Sequence, residues 1–400
     1  MVRSHEIGSV ALSRAASPRP HSHLMTSAQP ELPSQVQRKR LGAVTAWLRV
    51  LFAATAIFAV GAAAEPPPEP ELPQPEESPM LITSSPIGDI DYRPGRGVRL
   101  GDTDVTLGGF ATLGMTRLEG DHARFSLDGL DLFVFFDPSP YLHFFSDISF
   151  EKLIEIDENG GDNGPGPDVI VRRLYGELNL TDRANLRFGE YLTPVGRWNQ
   201  IPAAPLTWTT SRPLVTDIPF DLTDTGAEFW GSLFPPGGSL TYTFYGQFLE
   251  PPTEEPNNPP ADYGAGARLE YSALSGWSLG SSYFSSVHNG RWNYLGGLDG
   301  LWRADRLELS GEFLGGHGDP VGARIFGLYV QGAVRLVDSV YGIGRYEYYD
   351  PGTSTAVNLF DVGLAWRPFP ILILKADYLF TNTESDLGQP GLRASISLLF

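Results

Sequence analysis

This chain carries few residues that could do chemistry. Beyond residue 64 the histidines are His122, His143, His288 and His317, scattered without the short spacings that let imidazoles share a metal ion. Cysteine is absent, which removes thiolate nucleophiles, thiolate metal sites and disulfides together. A hydrolase would need a serine beside a histidine; His143 is the single strand-borne candidate, and a structural polar role suits it better. The run "DENGGDNGPGPD" offers Asp157, Asn159 and Asp162 as calcium ligands. Asp162, however, stands where the calcium loop needs a turning glycine, so the run reads as an acidic surface loop. No glycine-rich phosphate cradle is present. Catalytic, cofactor-binding and metal-ligating residues are therefore expected to be none, and the chain is not expected to be an enzyme.

The charges that recur come two residues apart: Arg268 with Glu270, Arg345 with Glu347, Lys375 with Asp377. Residues i and i+2 of a strand share a face, so each pair can neutralise itself there. With Arg173, Glu177, Arg187 and Arg393 they are expected to line one polar surface.

The elements that must position that surface are strands. From Asp104 onward the dominant period is two. In "LTYTFYGQFL" Leu240, Tyr242, Phe244 and Phe248 share one face, against Thr241, Thr243, Tyr245 and Gln247. Sixteen such segments are legible, with cores near 104–117, 122–135, 140–152, 169–180, 185–193, 223–234, 239–249 and 262–273. The rest lie near 276–286, 293–303, 306–315, 323–337, 339–349, 356–367, 371–381 and 391–400. Their connections alternate in length. "DPSP", "FPPGG", "ALSG", "RADR" and "RPFP" are tight, whereas "DENGGDNGPGPD", "EPPTEEPNNPP" and "TESDLGQP" are long. Short turns at one end and long loops at the other are the plan of an all-β transmembrane antiparallel barrel. Closure pairs every backbone group, as a bilayer requires.

Aromatic residues agree with that plan. Trp277, Trp302, Trp366, Tyr271, Tyr348, Phe136 and Phe248 fall near predicted strand ends, where an interfacial girdle would sit. Three charges do not agree: by strict alternation Asp131, Arg172 and Glu190 land on the apolar face. A bulge would reverse the phase.

The amino-terminal part has other work. Residues 1–64 hold seven of the 29 basic and two of the 47 acidic residues. The stretch "QRKRLGAVTAWLRVLFAATAIFAVGAAAEPPPEP" has a basic start, an apolar centre and small residues Ala62 and Ala64 before Glu65. These are the parts of a secretory signal, with Met25 as an alternative start. Cleavage after Ala64 is expected, and an intact mass beginning at Glu65 checks it. Residues 65–102, acidic and proline-rich at first, read as a linker, and 103–400 as the barrel. Past the leader 22 basic residues face 45 acidic ones, which argues against a nucleic-acid partner, since phosphates need a basic surface.

Between the fifth and sixth segments lies "PVGRWNQIPAAPLTWTTSRPLVTDIPFDL", Pro194 to Leu222, the third connection on the long side. It is too apolar for a solvated loop. Folding into the barrel would make Arg197, Trp198, Trp208, Arg212, Asp217 and Asp221 the residues that narrow it.

The sequence resembles the porins of the Gram-negative outer membrane, in the general layout of 103–400 and in that long third loop. Locally "LRFGEYLTPVG", through Arg187, Gly189, Tyr191, Pro194 and Gly196, resembles the phosphate-selective porin O/P family. The ending "SISLLF", closed by Phe400, resembles the signal read by the barrel-insertion machinery. The resemblance implies an outer-membrane location, contact with outer-membrane lipid and passive diffusion of small hydrophilic solutes or ions, and it leaves a homotrimer and a monomer both open. It does not carry over phosphate selectivity, because only Lys152 and Lys375 remain among the lysines after the leader. The alternative function is a non-conducting barrel with a structural or adhesive role.

Overall fold

The computed structural model describes residues 81–85, 88–158, 168–201, 203–252, 261–288, 290–318, 323–381 and 387–400. The expected leader, with Met25, Ala62 and Ala64, lies outside the described residues.

Three short strands come first: β1 (Leu81–Ser85), β2 (Gly88–Arg93) and β3 (Gly97–Arg99). Four long strands follow, β4 (Val105–Leu118), β5 (Arg124–Ser139), β6 (Leu142–Asp157) and β7 (Asp168–Thr181). Next are β8 (Ala184–Leu192), β9 (Thr223–Leu233), β10 (Gly238–Gln247) and β11 (Tyr263–Ala273). Then come β12 (Trp277–His288), β13 (Arg291–Arg303), β14 (Leu307–Gly318) and β15 (Ala323–Val337). The last four are β16 (Val340–Asp350), β17 (Val357–Phe369), β18 (Leu372–Thr381) and β19 (Gly391–Leu399). From β4 to β19 each strand pairs antiparallel with the next, and β19 pairs back onto β4 through Leu392↔Arg117 and Leu398↔Ala111. The result is a closed barrel of sixteen strands, the number the alternation predicts.

The terminal phenylalanine sits on the seam. Phe400 N donates to Gly109 O at 2.9 Å, and Gly109 N donates to Phe400 O at 3.1 Å. Beyond that point β19 has ended, and β3 takes up the same edge of β4 through Val98↔Leu107 and Arg99↔Thr106. Part of the stretch expected to be linker is therefore strand. Its short, turn-rich pieces carry too little alternation to be read alone.

The faces divide as the pattern requires. Val362, Leu364, Trp366, Leu298 and Leu279 stand exposed on the outside, while Asp361, Arg345, Asp377 and Ser397 are buried inside. Thr112 and Ser397, both inward, share a hydrogen bond of 3.0 Å across the seam. Trp277 and Trp302 are cross-strand partners beside short turns, and Trp366 precedes another. Tight reversals demand special backbone there: Gly276 closes the β11–β12 turn at φ 89°, a conformation that glycine adopts freely. In water so large an apolar outer belt would drive aggregation. No helix among the described residues is long and apolar enough to cross a membrane.

The misplaced charges have a local cause. Register shifts interrupt β5 at Leu127/Gly129 and β7 opposite Asp147/Ile148. Each extra residue reverses the phase beyond it. Asp131 is thereby buried on the inner face, with Arg172 Nε 3.7 Å from Oδ1, and Arg172 also pairs with Glu151. Glu190 keeps its phase beside Leu174 and Thr225, buried, and accepts a 3.0 Å hydrogen bond from the Thr223 hydroxyl.

Candidate functional site

The inner face is a lattice of ion pairs. Arg187 reaches Glu177 at 2.5 Å and Glu228 at 3.1 Å. Arg268 holds Glu270 at 2.7 Å and Asp299 at 2.5 Å, and Arg173 holds Asp147 at 2.8 Å. Arg345 lies between Glu347 at 2.7 Å and Asp361 at 3.2 Å, with its side chain wholly buried. Two of the three i, i+2 pairs thus close on themselves. The third does not close: Lys375 and Asp377 each turn to the long connection. Arg393 donates to Gln389 O at 2.9 Å.

That connection, between β8 and β9, is tied at its base. Asn199 Nδ2 donates to Thr193 O at 2.7 Å and to Leu222 O at 3.1 Å, joining entry to exit. Asp221 sits at the base and accepts from Ala261 N at 3.4 Å. Arg212 braces the turn by donating to Thr216 O at 2.7 Å and to Asn199 Oδ1, with Asp217 3.6 Å away. Regular structure is slight: 3-10 turns at Trp198–Gln200 and Ala204–Leu206, and one helical turn at Leu214–Asp217. Pro205 and Pro213 stand at the starts of two of these turns, where proline is tolerated, and Pro219, which has no N–H to donate, stops the last one.

From this base the segment reaches the side chains that β11–β18 turn inward. Gly196 N donates to Ser282 Oγ at 3.1 Å, Trp198 N to Glu312 Oε1 at 2.5 Å, and Trp208 Nε1 to Glu308 Oε1 at 2.8 Å. Arg197 Nη1 lies 3.4 Å from Ser278 Oγ and 4.0 Å from Glu270. Thr210 donates to Asp377 through both N (3.0 Å) and Oγ1 (2.7 Å). Lys375 Nζ donates to Ala204 O, Thr207 Oγ1 and Thr209 O at 3.0–3.1 Å. Arg345 adds Thr209 Oγ1 at 2.5 Å and Ser211 O at 2.8 Å.

Apolar packing supports these bonds. Val195, Trp198, Val215 and Phe220 of the loop form one cluster with Tyr245, Phe284, Leu314 and Tyr329 of the wall. Val215 seats over Gly327, where an added Cβ would lie 2.7 Å from its Cγ2. The Arg367 guanidinium stacks 4.5 Å from the Trp208 ring centre.

Most of the sequence-derived candidates are therefore brought together, with a division the sequence does not show. Arg345, Glu347, Lys375 and Asp377 do not line open space; they hold the loop. Of the loop residues, Trp198 and Trp208 are packed, Asp221 is at the base and Asp217 is exposed. Sequence reasoning missed Asn199, Thr209, Thr210, Ser211 and Gly327. The hydroxyl run "TWTTS" inside an apolar loop was the available signal for three of them.

Solved structures share this architecture. An anion-selective porin from Comamonas acidovorans aligns with a TM-score of 0.53 at 16% identity, over 75% of this chain and 100% of its own. Salmonella typhi OmpF, in complex with daunomycin, aligns with a TM-score of 0.53 at 12% identity, over 74% and 97%. A loop L8 deletion mutant of OmpT, an outer membrane protein of Vibrio cholerae, gives 0.52 at 12%, over 74% and 99%. The fold is the porin fold. No protein-family model matches the chain, the phosphate-selective porin O/P family included, so the local resemblance at Arg187–Gly196 stands without a family match. In sequence the chain is similar to an uncharacterized protein of Aquifex aeolicus, 23% identical over 359 residues, covering 74% of this chain and 80% of that protein.

Proposed function

We propose that this chain is an outer-membrane porin-like channel through which small hydrophilic solutes or ions diffuse passively. One observation carries the reading: a closed sixteen-strand barrel turns its Arg, Asp and Glu inward and its Leu, Val and Trp outward. A charge-lined lumen within an apolar wall is how a β-protein conducts across a bilayer. The loop Pro194–Leu222 is then the constriction, and the ion-paired residues around it set selectivity. On this reading the leader of residues 1–64 sends the chain to export, 65–80 tethers it, and the strand ending at Phe400 is read by the insertion machinery of a Gram-negative outer membrane. A homotrimer accords with a trimer form of Vibrio cholerae OmpT, a fold relative at 11% identity and a TM-score of 0.51.

Single-channel recording of the protein without its leader, in a planar bilayer, tests this. Discrete current steps are expected. Silence from folded, inserted protein would instead favour the sealed, non-conducting barrel. Under a salt gradient the reversal potential should show a mild cation preference, since acidic side chains outnumber basic ones among the charges buried on the inner face, and many of them are ion-paired. Anion selectivity would contradict that charge count.

A further inference from the structure

The loop's anchors lie on β11–β18, and its 3-10 turn Ala204–Leu206 touches β19 and β4. Among the described residues, the wall made by β5, β6 and β7 carries none of these anchors. That wall is also the place where the inner face stops being polar. Phe133 and Phe135 of β5, Phe145 of β6 and Tyr175 of β7 all point inward, in register with Asp147 and Arg173. Their rings touch: Phe135–Phe145 at 4.8 Å between centroids, Phe145–Tyr175 at 5.4 Å, Phe133–Phe145 at 5.7 Å. Phe145 is buried beneath, while Phe133, Phe135 and Tyr175 keep part of their surface open. Arg173 lies 4.6 Å from the Phe145 centroid and Arg187 lies 4.4 Å from that of Tyr175.

A lumen filled only with water has no use for such a strip, because inward positions of a conducting barrel are polar. Elsewhere in this barrel most inward rings pack with the loop, and Tyr175 itself sits at the edge of the loop's cluster. Phe133 and Phe135, with Phe110 beside them, lie on the side where the loop has no anchor. The two arginines border it, but each is already neutralised: Arg173 by Asp147, Arg187 by Glu177 and Glu228. The border therefore offers hydrogen-bond donors and acceptors without net positive charge.

We infer that this strip is a binding track for neutral carbohydrate, an inference that rests on the channel reading above. Aromatic faces carry negative charge density and attract the polarised C–H groups on the flat side of a pyranose ring. Hydroxyls at the ring edge then meet the Arg187 guanidinium and the Glu177 carboxylate. The strip crosses three strands, about 10 Å at the ordinary inter-strand spacing, which is more than one sugar ring. An anionic aromatic solute would match the rings but meet the surplus carboxylate of the Arg187–Glu177–Glu228 group.

The test is block of single-channel current by maltotriose, compared with a poly(ethylene glycol) of similar size and with benzoate. Maltotriose is expected to give saturable, transient block that the polymer does not give. Phe133→Ser with Phe135→Ser should raise the half-blocking concentration roughly tenfold, while Phe135→Trp should keep or lower it. Heat-modifiable gel mobility of each variant shows that it folds. Equal block by sugar and polymer, tighter block by benzoate, or unchanged block in the double variant would each overturn the track. An open channel that sugar does not block would sink this inference alone. A channel that never opens would sink the pore reading and this with it.

Discussion

Replacing Arg345 by alanine is expected to release the third loop and raise single-channel conductance several-fold. The expectation follows from where the guanidinium sits. Its side chain is fully buried, ion-paired to Glu347 and Asp361, and it donates to Thr209 and Ser211 of the loop. Removing one partner from a buried ionic group leaves the others uncompensated, at a cost of about 3–5 kcal/mol. Here the stranded groups are two carboxylates beneath the loop, and water can reach them only if the loop lifts. Lifting also frees Thr210 from Asp377 and Leu214 N from Glu347 Oε2, a bond of 2.8 Å. Gly327→Leu should act the same way by a separate route, since its new side chain would collide with Val215 and Tyr349. Conductance that stays at the wild-type value in both variants, with the barrel folded, would show that the loop does not limit the current.

Replacing Val362 by arginine is expected to lower barrel stability in lipid by about 2–4 kcal/mol, the cost of a cation facing mid-bilayer hydrocarbon. Val362 is in the middle of β17 and exposed on the outer face. Were this a soluble β-protein, an exposed valine could become arginine with a change within about 0.5 kcal/mol. The two readings therefore separate by several-fold in free energy, measurable by denaturant unfolding in vesicles. A neutral result would remove the outer belt's contact with lipid, and with it the membrane location. An inward position on another strand offers the control: replacing Ser282 of β12, which bonds Gly196 and Arg268, should perturb the loop and not the insertion of the barrel.

The strand count, the antiparallel order and the two faces were legible because each depends on a local rule. Alternation fixes the face of every residue in a strand, and tight turns fix which strands are neighbours. The seam was legible too, since a membrane barrel leaves no strand edge unpaired and its last strand must meet its first. Where the reading failed, a single inserted residue was the reason. Asp131 and Arg172 change face because a bulge adds one residue to one strand and none to its partner, and nothing in the flanking pattern marks the insertion. The strands β1–β3 escaped for a related reason: only a few residues long, they owe their form to the edge of β4 that β19 leaves unpaired.

By itself, then, the sequence determined a barrel with a charged inside, an apolar outside and one misfit loop, because period two and loop length are properties of neighbouring residues. Which inward charges face open space and which are spent on the loop was decided only by tertiary structure. Arg345 and Arg187 are alike in register, each directly opposite a carboxylate on an adjacent strand. One lies under Thr209 and Ser211, the other beside Tyr175 on the wall that holds no anchor. That difference is set by how Asn199 ties the loop's base and by the space Gly327 leaves for Val215. Both are contacts between residues far apart in the chain, which no local pattern encodes.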